Sequence, residues 1–140
     1  MAIKVVTDST SDLDSAIAED LGITIVPLNV HFGETVFKDG IDLNTDQFFD
    51  KLINGNVFPS TSQPSLGEFV DVYKEISQPG DVIISVHVSS KLSGTINSAQ
   101  QAANTLSGTV DVRIVDTQQV SMTVGLSAVG AAQAAQEGKS

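Results

Sequence analysis

The chain has 140 residues, of which 41% are hydrophobic, with no cysteine and a formal net charge of −10. That length suits one domain with a real core, and the absent cysteines exclude a disulfide framework and a thiolate-rich metal site. The few lysines and arginines form no basic stripe, which makes nucleic acid a poor partner, and the acidity argues against adsorption to anionic membranes.

No run approaches the roughly 18 consecutive apolar residues of a membrane-spanning helix. The opening Met1-Ala2-Ile3-Lys4-Val5-Val6-Thr7-Asp8 reads as a strand and lacks the apolar stretch of a secretory signal. No transmembrane segment is expected, and the composition is compatible with the cytoplasm.

Residues 3–7 are a β-branched run, the first strand. Asp8-Ser9-Thr10-Ser11-Asp12 is a cluster of turn formers, and Ser11 with Asp14 fits a capping box. Leu13, Ile17 and Leu21 then share one helical face, and Gly22 stops the helix. Residues 23–32 form a second strand region with a bend at Pro27. Gly33-Glu34 turns it into a hairpin with residues 35–38. Asn44 or Thr45 begins a helix that ends near Asn54-Gly55. Residues 58–65 read as a loop whose end caps another helix, with Leu66, Phe69, Val70, Tyr73 and Ile76 at helical spacing. Residues 81–88 are a buried strand, continuously apolar at Val82-Ile83-Ile84. Residues 89–94 are a loop, followed by a helix with Ile96, Ala99, Ala103 and Leu106 on one stripe. Residues 110–115 are another strand, and residues 121–136 a small-residue-rich helix.

Strand and helix alternate, which predicts an α/β fold: a mostly parallel sheet with helices on both faces. Ligands of such sheets sit beyond the carboxyl ends of the strands. Residues 8–12, 89–95 and 116–121 follow strands directly and belong on that rim.

Ser89-Ser90-Lys91-Leu92-Ser93-Gly94-Thr95 joins a buried strand to a helix N-terminus. Free N–H groups and the positive end of the helix dipole favour an anion there. Ser93 and Thr95 add hydroxyl donors, and Gly94 admits close approach to the backbone. Plain N-capping by Ser93 explains the same residues equally well. Ser60-Thr61-Ser62-Gln63-Pro64-Ser65 is a second hydroxyl-rich segment. Capping explains Ser65, whereas Thr61 and Ser62 lie too early for it. Neutral donors hold a carboxylate through charge-assisted bonds, and phosphate fits as well.

Other chemistry has little support. Neither a Gly-x-Ser-x-Gly elbow nor a phosphate-binding Gly-x-x-x-x-Gly-Lys-Ser/Thr loop occurs. His87 alternates within an apolar strand and reads as a satisfied core or rim histidine. Asp8, Asp12 and Asp14 have the chemistry of a divalent site, and caps and turns account for them without a metal.

Four pieces together carry a resemblance: Asp8-Ser9-Thr10-Ser11-Asp12-Leu13; Thr61-Ser62-Gln63-Pro64-Ser65; residues 89–95 with Asn97-Ser98-Ala99; and Val115-Asp116-Thr117 followed by Ser121-Met122. In this order the chain resembles the DegV family of bacterial fatty-acid-binding proteins, which includes the binding subunits of fatty acid kinase. The resemblance implies that residues 1–140 are the N-terminal α/β domain of a two-domain family, whose second, lipid-tunnel domain lies outside this chain. It implies a long-chain fatty acid whose carboxylate rests on Thr61 and Ser93, with Ser62, Gly94 and Thr95 as secondary contacts. It implies no catalysis, no metal and no cofactor. It implies that the bound acid is presented to a separate ATP-dependent fatty acid kinase subunit, which makes the acyl phosphate, a step in phospholipid metabolism. Thr123 departs from the family, which more often has glycine there. The alternative on the same loops is an enzyme or binding domain for a small phosphorylated metabolite, and an interaction module is a third reading.

Overall fold

The computed structural model describes residues 1–139. The β-branched segments become strands β1 (Ile3–Asp8), β2 (Ile23–Val26), β6 (Val82–His87) and β7 (Asp111–Asp116). They form one parallel sheet in the order β2-β1-β6-β7. Because every strand runs the same way, the loops after β1, β6 and β7 emerge at one edge.

Helices cover both faces, as the alternation of strand and helix requires. On one face, α3 (Leu66–Ile76) and α4 (Thr95–Thr105) bury Phe69, Tyr73, Ala99 and Ala102 against Val6, Val26 and Ile83. On the other, α1 (Ser15–Leu21) and α5 (Met122–Gln136) bury Ala18, Ala128 and Ala132 against Val5, Ile23 and Val86. The small residues of α5 let its backbone approach the sheet closely. At Gly125 an added Cβ would lie 2.7 Å from the Ser11 carbonyl oxygen.

A second unit stands beside this sandwich. Strands β3 (Asn29–Phe32), β4 (Thr35–Lys38) and β5 (Ser60–Ser62) form an antiparallel sheet in the order β4-β3-β5. Helix α2 (Thr45–Asn54) starts on a capping box between Asn44 and Gln47. Phe48 of this helix meets Phe32 edge to face at 6.0 Å, and Phe32 meets Phe37 at 6.2 Å.

Four expectations need correction. The strand region 23–32 is two strands in two different sheets. Pro27 donates no ladder bond, so the chain leaves the parallel sheet there, and the Leu28 N–H donates instead to Ser9 Oγ at 3.0 Å. The proposed capping box at Ser11 does not form. Asp14 caps α1 by accepting from the Ala16 N–H, and residues 9–11 make a single 3-10 turn. The buried residue of α1 is then Ala18, while Ile17 is 47% exposed. Finally, part of the supposed loop 58–65 is strand β5, whose Thr61 lies opposite Val30 and Ser62 opposite Asn29. Pairing along β3 satisfies a backbone whose side chains alone read as turn formers.

Candidate functional site

The rim of the parallel sheet is laced together by its own polar side chains. The Ser90 hydroxyl donates to Asp116 at 2.5 Å, and the Ser89 N–H donates to the Gln119 carbonyl at 2.9 Å. The Ser121 hydroxyl donates to Asp12 at 2.5 Å. Bonds from the Ser90 hydroxyl and the Gln118 N–H hold the Asp116 carboxyl below the ordinary carboxylate range. All three non-glycine residues with positive φ among those described (Asp12, Gln118 and Ser121) lie in these loops. Such backbone strain persists only where surrounding structure dictates it. Thr123 sits in the first turn of α5, and its hydroxyl donates to the Val120 carbonyl at 2.5 Å.

Helix α4 begins in this rim. Gly94 occupies its N-cap position and offers no side chain to accept from the helix. Ser93, one residue earlier, takes up part of that task. Its Oγ accepts from the Thr95 N–H at 3.2 Å and shares a hydrogen bond with Thr95 Oγ1 at 2.8 Å. Thr95 is fully buried, so its hydroxyl fixes Ser93 from below. Ser93 is thus a half-buried hydroxyl, oriented by Thr95, at the positive end of a helix.

The second hydroxyl segment reaches the first through Gln63. An added Cβ at Gly94 would lie 2.9 Å from Gln63 Nε2 and 3.1 Å from its Cδ, so the amide rests on the glycine. A side chain at position 94 would have to displace that amide. Strand alternation places Thr61 and Ser62 on opposite faces of β5. Thr61 is exposed. Ser62 is half-buried and shares a 2.8 Å hydrogen bond with His31 Nε2. The structure therefore brings the Ser93–Gly94–Thr95 turn and the Thr61–Ser62–Gln63 segment together, and it ties Ser62 to a histidine that sequence reasoning left outside the site.

The surroundings differ sharply in charge. A cleft of about 490 Å³ beside the rim is lined by Asp12, Asp14 and Asp39, which disfavours an anion there. The hydroxyl segments themselves carry no carboxylate. Among the described residues no group of three or more His, Cys, Asp or Glu side chains converges to hold a metal.

Sequence reasoning missed one feature altogether. Alternation along β1 and β6 turns Asp8, Ser85 and His87 toward the same face of the sheet as Val6 and Ile83. There Tyr73 OH, Ser85 Oγ, His87 and Asp8 form a chain of hydrogen bonds of 2.8, 2.7 and 2.8 Å. Ser85, His87 and Asp8 have no exposed surface, and neither does Tyr73. Burial alone would raise the Asp8 pKa, but the hydrogen bond and charge of His87, with further bonds from Thr10 and the Val88 N–H, outweigh it. The net result lies below the ordinary carboxylate range. Burial pushes the Tyr73 hydroxyl pKa well up. The connectivity Asp–His–Ser matches that of hydrolytic triads, yet no substrate reaches Ser85, and Tyr73 occupies its outer side. The group is a structural anchor. Only the period-two spacing of Ser85 and His87 was visible in the sequence, and nothing there pairs His87 with a residue 79 positions earlier.

Comparison with known proteins places the chain in a family and matches its fold. A family model described as "Uncharacterised protein, DegV family" matches residues 2–140. A DegV domain-containing protein of Deinococcus radiodurans is 41% identical over all 140 residues, which cover 49% of that protein. The solved structure of a fatty-acid-binding DegV family protein from Thermus thermophilus superposes with a TM-score of 0.90 at 41% identity, covering 100% of this chain and 49% of that one. That of DegV from Bacillus subtilis, a fatty acid binding protein, gives 0.92 at 36% identity, with 99% and 49% covered. The chain spans about half the length of the relatives it matches. Among the described residues no helix is long and apolar enough to cross a membrane.

Proposed function

The chain belongs to the DegV family, and on that premise we propose that it serves as the N-terminal domain of a two-domain protein that binds a long-chain fatty acid. Thr61 and Ser93 hold the carboxylate, with Ser62, Gly94 and Thr95 around them. The observation that carries this reading is the packing of Gln63 on Gly94, which sets one hydroxyl segment against the other at the N-terminus of α4. Neutral hydroxyls and N–H groups bind a carboxylate without a buried cation, and the Thermus and Bacillus relatives are fatty-acid-binding proteins. The domain acts as carrier, without catalysis of its own. It presents the acid to a separate ATP-dependent kinase subunit for conversion to the acyl phosphate.

Native mass spectrometry of the intact protein, with and without added oleate, tests the ligand class. A bound fatty acid is expected, and an empty protein under both conditions refutes the reading. Thr61→Ala and Ser93→Ala should each weaken oleate binding by about 1.5–3 kcal/mol, the range for hydrogen bonds to a charged group. Wild-type affinity in both variants refutes the assigned site. Tight binding of a phosphorylated metabolite in place of oleate would move the same loops to a different ligand.

A further inference from the structure

The buried chain beneath the rim is not used by the proposed binding site, yet its atoms end on the backbone of the loops that form it. Two donors converge on Asp8 Oδ1: the Thr10 N–H at 3.0 Å and the Thr10 hydroxyl. Two more converge on Asp8 Oδ2: His87 Nδ1 at 2.8 Å and the Val88 N–H at 3.2 Å. Thr10 lies in the loop after β1. Val88 opens the segment that carries Ser93 and Gly94. The His87 carbonyl accepts from the Thr117 hydroxyl at 2.7 Å, which adds the loop after β7. The His87 ring bonds Asp8 and Ser85 through its two nitrogens and stands nearly perpendicular to the Phe69 ring, whose centroid is 5.2 Å away. Phe69 belongs to α3, the helix that Ser65 caps. The loops after β1, β6 and β7 are therefore hydrogen-bonded to Asp8 or His87, a pair with no exposed surface, and the helix that follows the second hydroxyl segment packs against the His87 ring.

We propose that Asp8 and His87 are positioning residues for head-group binding: a buried carboxylate–imidazole pair sets the distance between the post-strand loops and so the placement of Ser93 and Gly94. The inference rests on the head-group reading above for its ligand, while its structural half can be tested without one.

The geometry makes the carboxylate hard to replace. The Thr10 and Val88 N–H groups bind different oxygens, and neither backbone group can turn into an acceptor. An amide at position 8 has one acceptor oxygen, so whichever way it is flipped, one backbone N–H faces an NH2 group. His87 can change tautomer to suit, but the loops cannot. One of them must move. Tyr73 lies at the other end of the chain, and Tyr73→Phe deletes a buried hydrogen bond without touching Asp8 or a loop.

The test compares Asp8→Asn with Tyr73→Phe in the intact protein, measuring oleate affinity, melting temperature and amide hydrogen exchange across residues 88–95. Both variants should lower the melting temperature. Only Asp8→Asn should lower oleate affinity tenfold or more and speed exchange at residues 88–95. Tyr73→Phe should stay within twofold of wild type. Oleate affinity within twofold in Asp8→Asn overturns the proposal, as does a loss of affinity that simply follows melting temperature in both variants. If the wild type binds no oleate, the head-group reading fails. Unchanged exchange at residues 88–95 in Asp8→Asn then overturns the positioning role separately. Should Asp8→Asn fail to fold, Thr117→Val at a half-buried position removes the hydroxyl that donates to the His87 carbonyl and accepts from the Gln119 N–H. A threefold loss of affinity is expected from it, and unchanged affinity overturns the proposal.

Discussion

Replacing Gly94 by alanine tests whether the contact between the two hydroxyl segments sets the site. The backbone at Gly94 has φ −77° and ψ 4°, a region open to any residue, so alanine introduces no backbone strain. The new methyl would lie 2.9 Å from Gln63 Nε2 and 3.1 Å from Cδ. Ordinary contact is about 3.5–4.0 Å, so the Gln63 amide must retreat by roughly 0.6 Å or more. Gln63 is exposed and can move. Folding stability should therefore fall by no more than about 1 kcal/mol, the scale of a poorer N-cap. Binding should suffer more, because the segment carrying Thr61 is pushed from Ser93. A charge-assisted hydrogen bond is worth about 1.5–3 kcal/mol, so losing most of one reduces oleate affinity about tenfold. Titration calorimetry and thermal melting on the same samples read the two effects separately. Adding Gln63→Ala to Gly94→Ala should restore part of the affinity, since the three atoms nearest the methyl all belong to the Gln63 amide. The coupling between the two sites is read as a double-mutant cycle. Unchanged affinity in Gly94→Ala, or strict additivity in the cycle, refutes the idea that this contact sets the site.

Two further predictions concern the scaffold. Gly125→Ala places a methyl 2.7 Å from the Ser11 carbonyl and 3.2 Å from Met122 Sδ, forcing α5 away from the turn after β1. A loss of about 1–3 kcal/mol is expected by chemical denaturation, as for overpacked cores, and a neutral result would mean the two elements shift freely. Asp8 also predicts a pH dependence. Its folded pKa lies below the ordinary 3.8, so its stabilising contribution is complete above that value and disappears as pH falls through the lower folded one. Asp8→Asn should flatten this acid limb of stability against pH, and an unaltered limb in the variant would refute the assignment.

Much of the fold was legible because local chemistry and tertiary packing agree. Gly22 ends α1 with φ 66°, as its position after a periodic helix implied. Asn44 and Ser65 each open a helix with a reciprocal cap to Gln47 and Glu68. At β5 they disagree. Residues 60–62 are all hydroxyl-bearing and read as loop, but β3 offers an unpaired edge, and backbone pairing does not depend on side-chain hydrophobicity. The same holds for Ser62, whose partner His31 is 31 positions away.

From the sequence alone came the alternation of strands and helices, and with it the common rim on which three loops had to lie. From it also came the two hydroxyl-rich segments and their match to a family, because those are properties of residue order and spacing. Whether the two segments meet was decided only in three dimensions, by Gln63 resting on Gly94. So was the use of Asp8 and His87, which read as a turn residue and a strand residue. Hydrogen bonds saturate within a few ångströms, and the parallel sheet alone brings residues 79 apart to that distance. A sequence states which groups exist. The crossover connections state which of them touch.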